Sequence, residues 1–272
     1  IIGLGPYRLG SWDGQDTVLE RYDGYYADSP KGPATFDTIR IRTIPDWGTV
    51  QAELFSGGID LALRVPTDVA KNLGTMPQLR HLAASTQGMY YIGFNPAETM
   101  DGAPNPVADK LVRQGINHAI NKDLLISTLF DGAPSRLDTP CSPSQLGCPT
   151  EVTVYDYNPD KARELFAEAG FPDGFALDVW AGRERELVEA VSADLMKVGI
   201  DVNLRYSNMA TVEAARNEGK VPVLVNTWGN TLNADTWATL INYFGANSDR
   251  SLVKNDPTLE EMIQAIPEAT SA

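Results

Sequence analysis

The feature that most constrains this chain is the alternation over residues 176–227. Residues 176–180 read as a strand. Residues 184–198 read as an amphipathic helix, with Leu187, Val188, Val191, Leu195 and Val198 on one face and Gly199 after it. Residues 200–206 return as a strand with Val202 and Leu204 on one face, 209–219 as a helix and 221–227 as a strand. Strand and helix in strict alternation predict a parallel sheet with right-handed crossovers, an α/β fold.

Ahead of that sheet, residues 104–136 read as two helices end to end. Val107, Leu111, Val112, Ile116, Ala119 and Ile120 form one apolar stripe. Asn121, a preferred N-cap, starts the second helix, which carries Leu124, Leu125, Thr128 and Leu129 and ends at Asp131-Gly132. Asn158 caps another helix with Pro159 at its first position, Leu165, Phe166 and Ala169 inward and Gly170 at its end. In the N-terminal third, strands are expected at 5–9, 17–22 and 37–43. Asp46 caps a helix through Phe55, stopped by Gly57-Gly58, and residues 59–63 return as a strand, making a βαβ unit. Residues 89–95 read as a buried aromatic strand, and 259–266 as a last helix without an evident partner.

The chain of 272 residues, 43% hydrophobic and 21% charged, is of ordinary globular composition. No apolar run is long enough to span a membrane, and Ile1-Ile2-Gly3 does not read as a signal peptide. A net charge of −14 argues against nucleic acid and anionic lipid as partners. Cys141 and Cys148 are either two free thiols or a local disulfide closing a Pro- and Ser-rich loop. The disulfide, which implies an oxidising compartment, is the favoured reading.

Six stretches resemble one family. VRQGINHAINKDLLISTLFDGAPS (112–135) looks like a signature of the family 5 extracellular solute-binding proteins, the peptide- and nickel-binding components of ABC importers. NPDKARELFAEAGFPDGF (158–175) is a second signature. GPYRL, ERYDGYY and IRIRTIPDWGTVQAELFSGGIDLAL resemble the family's passage through its first lobe, and MYYIGFN (89–95) its crossing strand. The resemblance implies a two-lobe periplasmic binding protein fold, type II-like. Residues 1–95 would be an incomplete first lobe and 96–272 most of the second, since family members are longer and the likeness leaves both of their ends out. It implies capture of a small polar solute, a peptide or peptide-like compound, between the lobes, and its delivery to ABC permease subunits. It further implies no catalysis, no cofactor, a monomer when complete, and a periplasmic or lipid-anchored location. A non-transport receptor domain built on the same lobes is the alternative, and an α/β enzyme with an unrecognised site a more distant one.

In an open parallel sheet, ligands bind beyond the carboxyl ends of the strands. Two loops meet that condition, 180–183 with Arg183 and 228–235 with Trp228, Gly229, Asn230, Thr231, Asn233 and Asp235. Arg183 offers a fork for a carboxylate, Trp228 a flat wall, and the polar residues donors and acceptors. Each has a plainer reading. Arg183 fits a solvent-facing helix start, Trp228 fits a core, and Asp235 fits a helix N-cap better than an ammonium ligand. The resemblance matches Arg183 to an arginine that pairs with the ligand carboxylate. It puts Asn230 or Thr231 where peptide-binding members have an aspartate for the ligand's amino group. Asp235 matches a later acidic position of structural role. Enzyme chemistry finds little support: His81 and His118 are the only histidines, no nucleophile elbow accompanies them, and a zinc site is not expected.

Overall fold

The computed structural model describes residues 3–268 apart from 64, 83–87, 131, 133, 230–234 and 254–255. The chain divides into two compact units, Ile1–Arg80 and His81–Ala272.

In the first unit, β1 (Tyr7–Trp12), β2 (Asp16–Arg21) and β3 (Thr38–Arg42) form an antiparallel meander, with Leu9 opposite Leu19 and Leu19 opposite Ile39. The helix α1 (Trp47–Ser56) starts where the sequence predicts, because the Asp46 carboxylate accepts the Thr49 N–H at 2.8 Å. It ends where Gly57 takes a φ of 73°, a conformation that costs glycine little. The Arg42 guanidinium reaches Glu53 at 3.1 Å and ties β3 to α1. A short helix, α2 (Thr67–Leu73), follows. The βαβ unit expected here does not form. Residues 59–63 are irregular, and Leu61 and Leu63 are exposed. A stretch of alternating apolar residues becomes a strand only when a neighbouring strand takes its backbone groups, and no described strand pairs with residues 59–63.

The second unit is built on a four-stranded sheet. Its strands are β4 (Met89–Phe94), then, after the small hairpin of β5 (Thr99–Met100) and β6 (Ala103–Pro104), β7 (Phe175–Ala181), β8 (Ile200–Tyr206) and β9 (Val223–Trp228). The spatial order is β4-β9-β7-β8, with β7, β8 and β9 parallel, as the alternation predicts, and β4 antiparallel at one edge. Met89–Phe94, which the sequence groups with the first part of the chain, thus belongs to the sheet of the second unit.

Helices cover both faces. On one side lie α3 (Lys110–Ala119), α4 (Lys122–Leu129), α5 (Pro159–Glu168) and α6 (Arg185–Met196). Val112, Ile116, Phe166, Val188, Val191 and Leu195 there meet Leu177, Val179 and Ala181 of β7 and Val223 and Val225 of β9. Residues two apart on the strands share that face, as the pleat requires. Leu224 and Trp180 point the other way, to a smaller cluster with Val212 and Ala215 of α7 (Met209–Asn217), and with Val221 and Leu252. Gly115 lets α3 and α5 approach closely: a Cβ there would lie 2.8 Å from Cδ1 of Phe166, itself 1% exposed. The joint between α3 and α4 is held from outside. Asn121 caps α4 through the Leu124 N–H at 3.0 Å, and its own N–H donates to the buried Asp194 of α6 at 3.0 Å. The last helices are α8 (Trp237–Phe244) and α9 (Pro257–Ala265). The α9 helix does have a partner: it lies against α8 and buries Ile263, and its Glu260 carboxylate accepts the Ala246 N–H at 2.7 Å.

Candidate functional site

The parallel pairing of β7 with β9 sets Ala181 beside Val225. Both strands therefore open their carboxyl ends at one edge of the sheet, and β9 runs three residues, about 10 Å, further to Trp228. Because β4 is antiparallel, its first residue, Met89, pairs with Trp228 at that same edge.

After β7, Gly182 packs against the start of α7, where a Cβ would come within 3.1 Å of Cα of Met209. Glu184 then turns the chain through a φ of 53° into α6. Arg183 between them is exposed, with no hydrogen bond or ion pair to any described residue. Its guanidinium is thus free to meet an anion.

Trp228 is half-buried. Its ring meets Tyr243 of α8 edge-to-face at 4.9 Å, and the Arg250 guanidinium lies 5.0 Å from its centroid. Its indole N–H is buried without an acceptor among the described residues, as are those of Trp180 and Trp237. Tyr243 also packs edge-on against Tyr91 of β4 at 4.9 Å. Burial pushes the Tyr91 hydroxyl up. Burial, then the neighbouring Tyr91, pushes Tyr243 up further, so both stay neutral and act as hydrogen-bonding groups only. Gly229 is exposed, with open space where a side chain would stand. Asn230, Thr231 and Asn233 lie outside the described residues. Asp235 accepts the Ala238 N–H at 3.3 Å, so its carboxylate sits on the first turn of α8 as a cap does.

The disulfide between Cys141 and Cys148 closes a loop with a Cα–Cα distance of 5.8 Å. That loop meets the residues just before α8. The Leu146 carbonyl accepts both the N–H and the hydroxyl of Thr236, at 3.0 and 2.8 Å, and the Gln145 amide donates to the Asp235 carbonyl at 3.1 Å.

A cavity of about 1440 Å³ follows the outer edge of β4 from Gly88 to Phe94. One wall is α4 with Phe130 and residues 134–144. The other includes Tyr243, Arg250, Leu252 and Asp256. Neither Arg183 nor Trp228 lines it. On its first wall Lys122 and Arg136 converge on Asp138, at 2.9 and 3.0 Å. Burial raises the Asp138 carboxyl, but the hydrogen bonds from Lys122 and Arg136 outweigh it, and its pKa lies below the ordinary carboxylate range. Sequence reasoning missed this trio, and also Tyr91, Tyr243 and Arg250. The available signal was the pair Tyr90-Tyr91, two aromatics that a strand must send to opposite faces. Among the described residues no group of three or more His, Cys, Asp or Glu side chains is placed to hold a metal.

The family described as "Bacterial extracellular solute-binding proteins, family 5 Middle" matches residues 1–251. A glutathione-binding protein of Pectobacterium atrosepticum is 31% identical over 87% of this chain and 46% of its own length. The dipeptide-binding protein of Escherichia coli is 28% identical over 75% of this chain and 38% of its own. The chain thus spans less than half the length of either. Among solved structures, a periplasmic binding protein of Helicobacter pylori in complex with a peptide superposes with a TM-score of 0.81 at 23% identity, over 98% of this chain and 52% of that one. The NikA protein of Brucella suis, in complex with Fe(III)-EDTA, also gives 0.81 at 23%, over 99% and 57%. These likenesses give the fold. With its match running from residue 1 to residue 251, the chain belongs to the bacterial extracellular solute-binding proteins of family 5.

Proposed function

We propose that the protein is the substrate-binding component of an ABC importer. It captures a small polar solute, a peptide or peptide-like compound, and delivers it to the membrane permease. Residues 1–80 act as part of one lobe and 81–272, with β4 in its sheet, as most of the other, and the two close over the solute by a hinge motion. The solute is held, not chemically changed. The protein works as a monomer on the outer side of the membrane, in the periplasm or lipid-anchored. The observation that carries this is the family match over residues 1–251, and the relatives named for glutathione and dipeptide binding support a peptide-like solute. Arg183, exposed and unpaired among the described residues at the rim of the parallel sheet, is the carboxylate-binding residue. Trp228 and Gly229 form a flat wall and an open approach beside it. Asn230, Thr231 and Asn233 supply polar contacts, and Asp235 orders the end of that loop.

A thermal-shift screen against dipeptides, longer peptides, glutathione, opine-type conjugates, sugars and nickel chelates tests this. A solute at about 100 times its Kd adds roughly 2.7 kcal/mol, on the order of 5–10 °C in Tm for a chain of this size. A shift that disappears in Arg183→Ala supports both the function and the site. A shift that survives the substitution keeps the function and removes Arg183 from the site. No shift with any solute defeats the proposal for this chain.

A further inference from the structure

Among the described residues, five buried side-chain atoms lack a hydrogen-bond partner, and four of them are donors, on Trp180, Arg216, Trp228 and Trp237. Three of those donors belong to the α7 side of the four-stranded sheet. Trp180 pairs with Leu224 and points with it toward α7, and Trp228 lies four residues beyond Leu224 on the same face of β9. Arg216 is on α7 itself, 8% exposed, with no hydrogen bond or ion pair from its side chain to any described residue. A buried charge without a counter-charge is costly, and proteins pair nearly all that they bury.

A second cation stands close by. Ala215, next to Arg216, shares the smaller apolar cluster with Leu252. Arg250, two residues before Leu252, lies 5.0 Å from the Trp228 ring centroid, and its guanidinium too has no polar partner among the described residues. Tyr91 is on the same face of the sheet, since it pairs with Asn226, two residues before Trp228. The charges of both arginines reach the Tyr91 and Tyr243 hydroxyls, where they oppose the upward push of burial.

Tyr91, Tyr243 and Arg250 line the cavity beside β4, which opens this cluster to a ligand. Its other cations are taken. Lys122 and Arg136 are held by Asp138, and Arg113 donates to the Val107 and Ala108 carbonyls at 2.8 and 2.7 Å. Of its carboxylates, Asp138 holds those two cations, and Asp256 caps α9 through the Leu259 N–H at 2.9 Å. In a chain of net charge −14, the cluster is thus a local surplus of positive charge and of donors. An oxyanion supplies both things it lacks, acceptors and a counter-charge. Elsewhere the cavity wall is apolar, with Leu125 on α4 and with Phe130 packed on the Tyr90 ring.

We propose that this cluster binds a carboxylate carried on an apolar body, with Arg250 and the Tyr91 and Tyr243 hydroxyls meeting the carboxylate in the cavity and Arg216 supplying the buried counter-charge from the α7 side. Arg183 does not line this cavity, so the site stands or falls separately from the proposed function.

The probe is benzoate, with benzamide as a neutral counterpart of the same shape, and calorimetry measures the binding of each to this chain. Benzoate should bind at least about tenfold more tightly than benzamide, and Arg250→Gln and Arg216→Met should each weaken benzoate about tenfold while leaving benzamide unchanged. Without ligand, Arg216→Met should melt at or above the wild-type temperature, because an apolar side chain of similar length replaces an uncompensated buried charge. Equal binding of the two probes overturns the proposal, as does binding of neither. Benzoate affinity that survives Arg250→Gln, an exposed position where folding is not at stake, also overturns it. An Arg216→Met form that melts more than about 3 °C below the wild type makes Arg216 a structural residue and overturns its role as the counter-charge.

Discussion

Replacing Asp194 with alanine should destabilise the second unit more than any exposed ion pair in it can. Asp194 is 5% exposed on α6. One oxygen accepts the Asn121 N–H at 3.0 Å, at the joint where α3 stops and α4 begins, and the other accepts from Lys197 at 2.8 Å. The two bonds differ in weight. Lys197 lies one turn further along the same helix and its side chain is 58% exposed, so that pair contributes at most about 1 kcal/mol. The bond to Asn121 spans 73 residues. Hydrogen bonds to charged groups contribute about 1.5–3 kcal/mol, and truncation leaves the Asn121 N–H without its acceptor. Asp194→Ala should therefore cost roughly 2–3.5 kcal/mol, on the order of 5–12 °C in Tm, and Lys197→Ala less than about 1 kcal/mol. Urea unfolding followed by circular dichroism measures both. Equal losses in the two variants would refute the assignment, and so would a loss below about 0.5 kcal/mol in Asp194→Ala, because either result puts the stabilisation in the local ion pair or nowhere.

Two further outcomes follow from local geometry. Gly115→Ala should gain about 1 kcal/mol of helix propensity but lose more to the overlap of its Cβ with Phe166, for a net loss of roughly 1–2 kcal/mol; a variant as stable as the wild type would mean that α3 and α5 separate without cost. Asp138 has its pKa lowered on folding by Lys122 and Arg136 against the opposing effect of burial, so its stabilisation is complete above the unfolded carboxylate value near 4 and is lost as pH falls through the lower folded value. Thermal melts should then show a shallower loss of stability below about pH 4 in Asp138→Asn than in the wild type, and parallel curves for the two would sink the assignment.

Elements defined by their own residues were legible. Asp46, Asn121 and Asn158 carry their caps within three residues, at 2.8, 3.0 and 2.9 Å, so the helix starts can be read directly from the chain. The buried stripe Leu187, Val188, Val191, Leu195 and Val198 was legible for the same reason, since its spacing is the helix's own period. What failed depends on partners far away in sequence. Residues 59–63 have the composition of a strand but no neighbour to pair with among the described residues. Residues 89–94 read correctly as a strand, yet their place beside β9 is set by a register with residues 223–228 that no local pattern states. Tyr90 in that strand is 43% exposed, where its composition suggested burial, because β4 stands at the sheet edge.

The candidate site divides along the same line. That the loops after β7 and β9 share a rim followed from the βαβαβ order alone, because parallel neighbours must end on the same side. The tasks of the individual residues did not follow, because a carboxylate, a guanidinium or an indole suits several. Asp235 makes the point concretely. Its Oδ1 meets the first turn of α8 and its carbonyl meets Gln145, so two of its three acceptor oxygens already serve the protein. The carboxylate has a second oxygen, so an ammonium group arriving there would share its charge with the first turn of α8. Arg183 stands in the opposite position, with no described partner to give up, and an anion binding there displaces only water. Asp235 already has a structural task on α8 and Arg183 has none among the described residues, which is why the carboxylate-binding role is proposed for Arg183.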